Sequence, residues 1–159
     1  MLNPHGRSET EFVIMASSLP AKKILAVDDD PVILKVLTSA LESRGYEVFT
    51  ALDGSEAFGI ARREKPDMYL LDIIFPPDLV ESGNTWDAFL IMQWLKHMGE
   101  AKDKPVVIVS GAEPEKYKSR CLAAGAQAFL PKPLDPDKLV NTVREIFSHS
   151  PAAKAPERC

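Results

Sequence analysis

Residues 23–41 read KILAVDDDPVILKVLTSAL. After Lys23 the run is apolar as far as Val27 and then breaks at Asp28, Asp29 and Asp30, which suits a buried strand whose end reaches the surface. Asp30 and Pro31 have the chemistry of a helix cap and a first helical residue. Ile33, Val36, Leu37, Ala40 and Leu41 then recur at helical spacing, with Gly45 as the stop. A strand therefore feeds directly into an amphipathic helix.

The same alternation continues along the chain. Residues 46–50 form a second strand, and after Asp53-Gly54 a helix over 55–65 carries Ala57, Ile60 and Ala61 on its inner side. Residues 68–71 make a third strand ending at Asp72. A long connection over 73–84, with Pro76-Pro77 and Gly83, precedes a helix in which Ile91, Trp94, Leu95 and Met98 share a face. Residues 105–109 are the fourth strand, ending at Ser110-Gly111, and a helix over 114–124 stops at Gly125. The fifth strand, 126–130, ends at Pro131-Lys132-Pro133. Asp135 and Pro136 open a last helix with Leu139, Val140, Val143, Ile146 and Phe147 on its buried face. Five strands alternating with five helices imply an α/β fold, a parallel sheet covered on both faces by right-handed crossovers.

Composition agrees with one such domain: 159 residues, 45% apolar, 26% charged and 8% aromatic, with a formal net charge of -4. No apolar run approaches the roughly 20 residues that cross a bilayer, so membrane insertion is not expected. No basic patch stands out, so neither is nucleic-acid binding. Cys121 and Cys159 are too few for a disulfide framework and lack zinc-type spacing. The first residues carry acids where an export signal needs bases, and a reducing, cytoplasmic location fits best. Residues 1–21 read as an N-terminal extension, 22–148 as the domain and 149–159 as a flexible C-terminal tail. Within the extension, Phe12, Val13, Ile14 and Met15 form an apolar patch that either stays mobile or docks on the domain or on a second copy.

In a doubly wound sheet, ligands bind beyond the carboxyl ends of the strands. The residues there are Asp28, Asp29 and Asp30 after the first strand, Asp72 after the third, Ser110 after the fourth and Lys132 after the fifth. Each alone is ordinary turn or capping chemistry. Together they place acids, a hydroxyl and an ammonium at one edge of the sheet. Crowded carboxylates call for a hard divalent cation with oxygen ligands, which describes Mg²⁺. Such a carboxylate can attack phosphorus, with the lysine and the hydroxyl neutralising and holding the phosphoryl oxygens.

The runs KILAVDDDP, PDMYLLDIIFP, VVIVSGA and GAQAFLPKP, in this order over residues 22–147, resemble the receiver domain of bacterial two-component response regulators. The resemblance implies a flavodoxin-like sheet of strand order 2-1-3-4-5. It implies that Asp72 is the phospho-acceptor, loaded by a sensor histidine kinase or a histidine phosphotransfer protein. Asp28 and Asp29 would hold Mg²⁺ or Mn²⁺, with Asp72 and the backbone carbonyl of Ile74 completing the protein ligands. Ser110 would turn inward to the phosphoryl group, Lys132 would be its ion-pair partner, and Phe129 would be the aromatic whose rotamer follows Ser110. The bond from Lys132 to Pro133 would be cis.

On this reading the chain is a stand-alone receiver and a signalling phosphoprotein. It would have no enzymatic activity beyond its own phosphoryl transfer and dephosphorylation, and would work through a downstream protein target or as a phosphorelay shuttle or sink, with homodimerisation open. Two features depart from the family pattern. The loop from Pro76 to Trp86 is roughly seven or eight residues longer than the usual short turn, and would either be a tolerated insertion or gate the site. The aromatic is Phe129 rather than Tyr, so it brings no hydroxyl.

Two other functions are open to the same residues. Asp28, Asp30 and Val32 also fit the DxDx[TV] pattern of haloacid-dehalogenase-type phosphatases, with Asp28 as nucleophile and Asp30 as acid/base. That reading leaves Asp72 unexplained and lacks the later acidic motif. A phosphate-independent interaction module on the same fold is the third. Of the remaining chemistry-bearing residues, His97 reads as a surface histidine, Cys121 as core and Trp94 as packing.

Overall fold

The computed structural model describes residues 19–73 and 88–149. Within them run β1 (Lys23–Val27), α1 (Pro31–Glu42), β2 (Glu47–Ala51), α2 (Gly54–Glu64), β3 (Met68–Leu71), α3 (Ala88–His97), β4 (Val106–Ser110), α4 (Pro114–Ala123), β5 (Ala128–Pro131) and α5 (Pro136–His149). All strand pairs are parallel and the sheet order is β2-β1-β3-β4-β5, as expected. The order reverses between β1 and β3, which opens a crevice at their carboxyl ends.

Because successive side chains of a strand face opposite ways, the sheet divides the interior into two layers. Leu25, Val27, Tyr69, Leu71 and Ile108 pack with Ala57 and Ile60 of α2, Ile91 and Leu95 of α3 and Cys121 of α4. Ile24, Ala26, Met68, Leu70 and Val107 pack with Leu34, Leu37 and Leu41 of α1 and Leu139, Val140 and Val143 of α5. Each large aliphatic side chain sealed in this way stabilises the fold by about 1.5–3 kcal/mol. Cys121 and Trp94 pack as expected; Trp94 lies against Phe58 with ring centroids 4.2 Å apart. His97 is exposed at the end of α3.

Local chemistry sets the helix ends. The Asp30 side chain accepts from the Val32 amide at the start of α1, and the Asp53 side chain accepts from the Glu56 amide at the start of α2. The buried stripe of α1 is Leu34, Leu37 and Leu41, whereas Val36 is 37% exposed. Val36 follows Leu34 by two residues, about 200° around the helix, so the two cannot share a face. β5 begins two residues later than the pattern predicts. Gly125 takes φ +110°, and the Ala126 amide donates back to the Cys121 carbonyl, so that residue still belongs to the end of α4. α5 runs through His149: the Ser148 hydroxyl donates to the Arg144 carbonyl, and His149 Nδ1 lies 2.7 Å from the Glu145 carbonyl. Of the long connection after β3 only Asp72 and Ile73 are described. Ile74, the loop from Pro76 to Trp86, and nearly all of both terminal segments lie outside the described residues. No described helix is long and apolar enough to cross a membrane.

Candidate functional site

Strand register brings the site together. Val27 is level with Leu71, so Asp28 and Asp72, the next residue on each strand, leave the sheet side by side. The Asp72 amide donates to the Val27 carbonyl, and the Asp28 amide to the Ala51 carbonyl. On the other flank Ser110 is level with Pro131, and the Lys132 amide donates to the Ser110 carbonyl. The Lys132–Pro133 bond is cis.

The side chains then converge. Lys132 Nζ lies 2.6 Å from Asp28 Oδ2 and 3.2 Å from Asp72 Oδ2. Asp28, only 1% exposed, receives a second bond at Oδ1 from the Asp30 amide, 2.8 Å away. Oxygens of Asp28, Asp29 and Asp72 lie within 4.8 Å of one another, with Asp28 buried, Asp72 half-buried and Asp29 exposed. Three carboxylate oxygens this close, with one face toward solvent, are a donor set that fits a hard divalent cation and its retained waters. Ser110 is also 1% exposed, and its Oγ accepts from the Ala112 amide at 3.1 Å. Phe129 is buried in the layer covered by α2, α3 and α4.

Electrostatics follow from this crowding. Burial pushes the Asp28 carboxyl up despite its bonds from Lys132 and the Asp30 amide. Burial, then the charge of Asp28, pushes Asp72 up to about 6, and Lys132 offsets only part of this. For Lys132, burial acts to lower the ammonium, but the hydrogen bond it donates to Asp28 and the charges of Asp72 and Asp28 together raise it above the ordinary lysine value. The site thus holds more negative charge than one lysine neutralises.

Of the residues singled out from sequence, Asp28, Asp29, Asp72 and Lys132 come together, with Ser110 on the adjoining strand end and Phe129 inside the sheet layer. Asp30 stands apart: its exposed carboxylate caps α1, which occupies the group that the phosphatase reading needs as acid/base. Two backbone donors were missed, the amides of Asp30 and Ala112. The signal for the second was present in Ser110-Gly111-Ala112, since a serine two residues before an amide is placed for such a turn.

A profile of the response regulator receiver domain matches residues 24–144. Protein PilH of Pseudomonas aeruginosa is 32% identical over 126 residues, which cover 79% of this chain and 98% of PilH. The polar-differentiation response regulator DivK of Brucella anthropi is 28% identical over 126 residues, 79% of this chain and 96% of DivK. The solved structure of the Vibrio cholerae chemotaxis protein CheY4 superposes with a TM-score of 0.70 at 28% identity, covering 80% of this chain and 99% of CheY4.

Proposed function

From the premise that the chain belongs to the response regulator receiver family, we propose that Asp72 accepts a phosphoryl group from a sensor histidine kinase or a histidine phosphotransfer protein. The observation that carries the reading is the single ammonium of Lys132 spanning Asp28 and Asp72 at 2.6 and 3.2 Å, inside a three-carboxylate cluster. An oxygen of the ionised Asp72 carboxylate forms the new O–P bond while the P–N bond of the donor phosphohistidine breaks. The imidazole nitrogen leaves with the electron pair and takes up a proton. Lys132 then pairs with the phosphoryl oxygens, and Ser110 donates its hydroxyl to one of them.

Asp28, Asp29 and Asp72, with the backbone carbonyl of Ile74, would hold Mg²⁺ or Mn²⁺. When bound, the metal supplies positive charge against the carboxylates and the phosphoryl oxygens. The new phosphate charge draws Ser110 and Lys132 inward, Phe129 follows, and a downstream protein target, a second copy or the next relay protein reads the altered surface. The chain so read signals from the cytoplasm and turns over no separate substrate.

The test uses radiolabelled acetyl phosphate with Mg²⁺. Label should enter the wild-type chain, disappear with EDTA and be absent from Asp72→Asn. Retention of label by Asp72→Asn rejects the assignment of the acceptor. Steady hydrolysis of a phosphate ester that is lost in Asp28→Asn and kept in Asp72→Asn would instead support the phosphatase reading.

A further inference from the structure

A groove of about 600 Å³ lies between the ends of α2 and α3, at the amino ends of β3 and β4 and so at the edge of the sheet opposite the carboxylate cluster. Its floor is apolar, formed by Ala61, Pro66, Tyr69 and Met98. Its rim carries Arg62, Lys65 and Lys104; Lys65 pairs with Glu100 at 3.2 Å and Lys104 with Asp67, beside the rim, at 3.7 Å. An apolar floor under a rim whose three cations outnumber its two acids suits an apolar segment flanked by acids.

Such a segment precedes β1 in the sequence. Residues 9–15 read ETEFVIM, with Glu9 and Glu11 directly ahead of Phe12, Val13, Ile14 and Met15. The Lys23 amide donates to Asp67 Oδ2 at 2.9 Å, and Asp67 follows Pro66 of the groove floor, so the chain enters the sheet beside this groove. Leu19, where the described chain begins, is 76% exposed. Lys23 follows Phe12 by eleven positions, an extended reach of roughly 36 Å, more than this short path needs.

We propose that residues 9–15 dock in this groove of the same chain, with Phe12 and Ile14 on the floor and Glu9 and Glu11 against the rim cations. In an extended segment residues two apart face the same way, which places Phe12 and Ile14 together. Docking at this edge ties the extension to α2 and α3 and leaves the opposite edge open.

The test is paramagnetic broadening in the full chain, with a nitroxide on Thr10→Cys in a Cys159→Ser background; Cys121 is fully buried and so resists labelling. The label should strip intensity from the amide signals of Ala61, Met98 and Ala101. Phe12→Ser with Ile14→Ser should restore them. Lys65→Glu with Lys104→Glu should also restore them, and adding Glu9→Lys and Glu11→Lys should bring the broadening back. No broadening at these amides, or broadening that survives Phe12→Ser with Ile14→Ser, overturns the proposal. So does broadening that appears only on isotope-labelled chains mixed with spin-labelled ones, because the occupant is then a second copy.

Discussion

Lys132 Nζ and Asp28 Oδ2 meet at 2.6 Å across 104 positions of sequence, with Asp72 Oδ2 only 3.2 Å from the same ammonium. The contact closes the outermost strand, β5, onto the first, and it does so where Asp28 has almost no access to water. Lys132 is thus both a structural counter-ion and, on the proposed function, the group that must turn to the incoming phosphate.

Removing that counter-ion leaves a buried acid beside another acid. Lys132→Met should therefore destabilise the metal-free protein by about 3 kcal/mol at pH 7.5, since breaking one side of a buried pair strands the other charge. Asp28→Asn in the same chain should recover a large part of the loss. Urea unfolding followed by circular dichroism checks both, and equal stability of Lys132→Met and wild type would show that the pair contributes nothing.

Asp72 carries a pH signature. Its carboxyl is raised from 3.8 to about 6 in the metal-free fold, so between these values the folded protein binds a proton that the unfolded chain does not. This contribution to stability is full below about pH 4 and is lost as pH rises through 6, by about 3 kcal/mol at most. Asp72→Asn lacks the titration. Without metal it should be the more stable protein at pH 7.5, and the advantage should vanish near pH 4. A difference between the two proteins that does not change with pH counts against the raised carboxyl.

Cation binding should reverse that ordering. Mg²⁺ should raise the Tm of the wild type at pH 7.5 in proportion to the logarithm of its concentration above Kd. It should act much less on Asp28→Asn or Asp72→Asn, and less on the wild type at pH 5, where Asp72 holds its proton. Mn²⁺ should behave alike. An equal Mg²⁺ response in all three proteins would place the ion elsewhere.

The face of α1 gives a test of packing. Leu37→Ala should cost about 2–5 kcal/mol through the cavity it leaves. Val36→Ala, one residue earlier and on the outer side, should change stability by less than about 0.5 kcal/mol. Denaturant midpoints measured on the two variants decide it, and comparable losses would mean that the helix is rotated from the arrangement described.

The strands and the carboxylate cluster were legible in the sequence because their signals are local. An apolar run stopped by aspartate marks both a strand and its exit, and parallel pairing then puts successive exits on one edge. What was not legible depends on register and rotation. The pattern placed Val36 inward because valine is apolar, yet rotation about the helix selects Leu34. It placed Ala126 in β5, yet the amide of that residue is committed to closing α4. Lys132 was expected to meet a phosphate; that it already spans Asp28 and Asp72 requires knowing that Val27 is level with Leu71 and Ser110 with Pro131. The bond from the Ala112 amide to Ser110 was within reach of turn chemistry and went unread.

The division of the interior by the sheet has a practical meaning for anyone altering this protein. Leu37 under α1 and Leu95 under α3 belong to separate compartments with a shared wall, so truncating both should cost the sum of the two separate losses. Redesigning the contents of one compartment need not respect the other, provided the wall keeps its ladder of backbone bonds. Any departure from the sum would measure how far that wall bends.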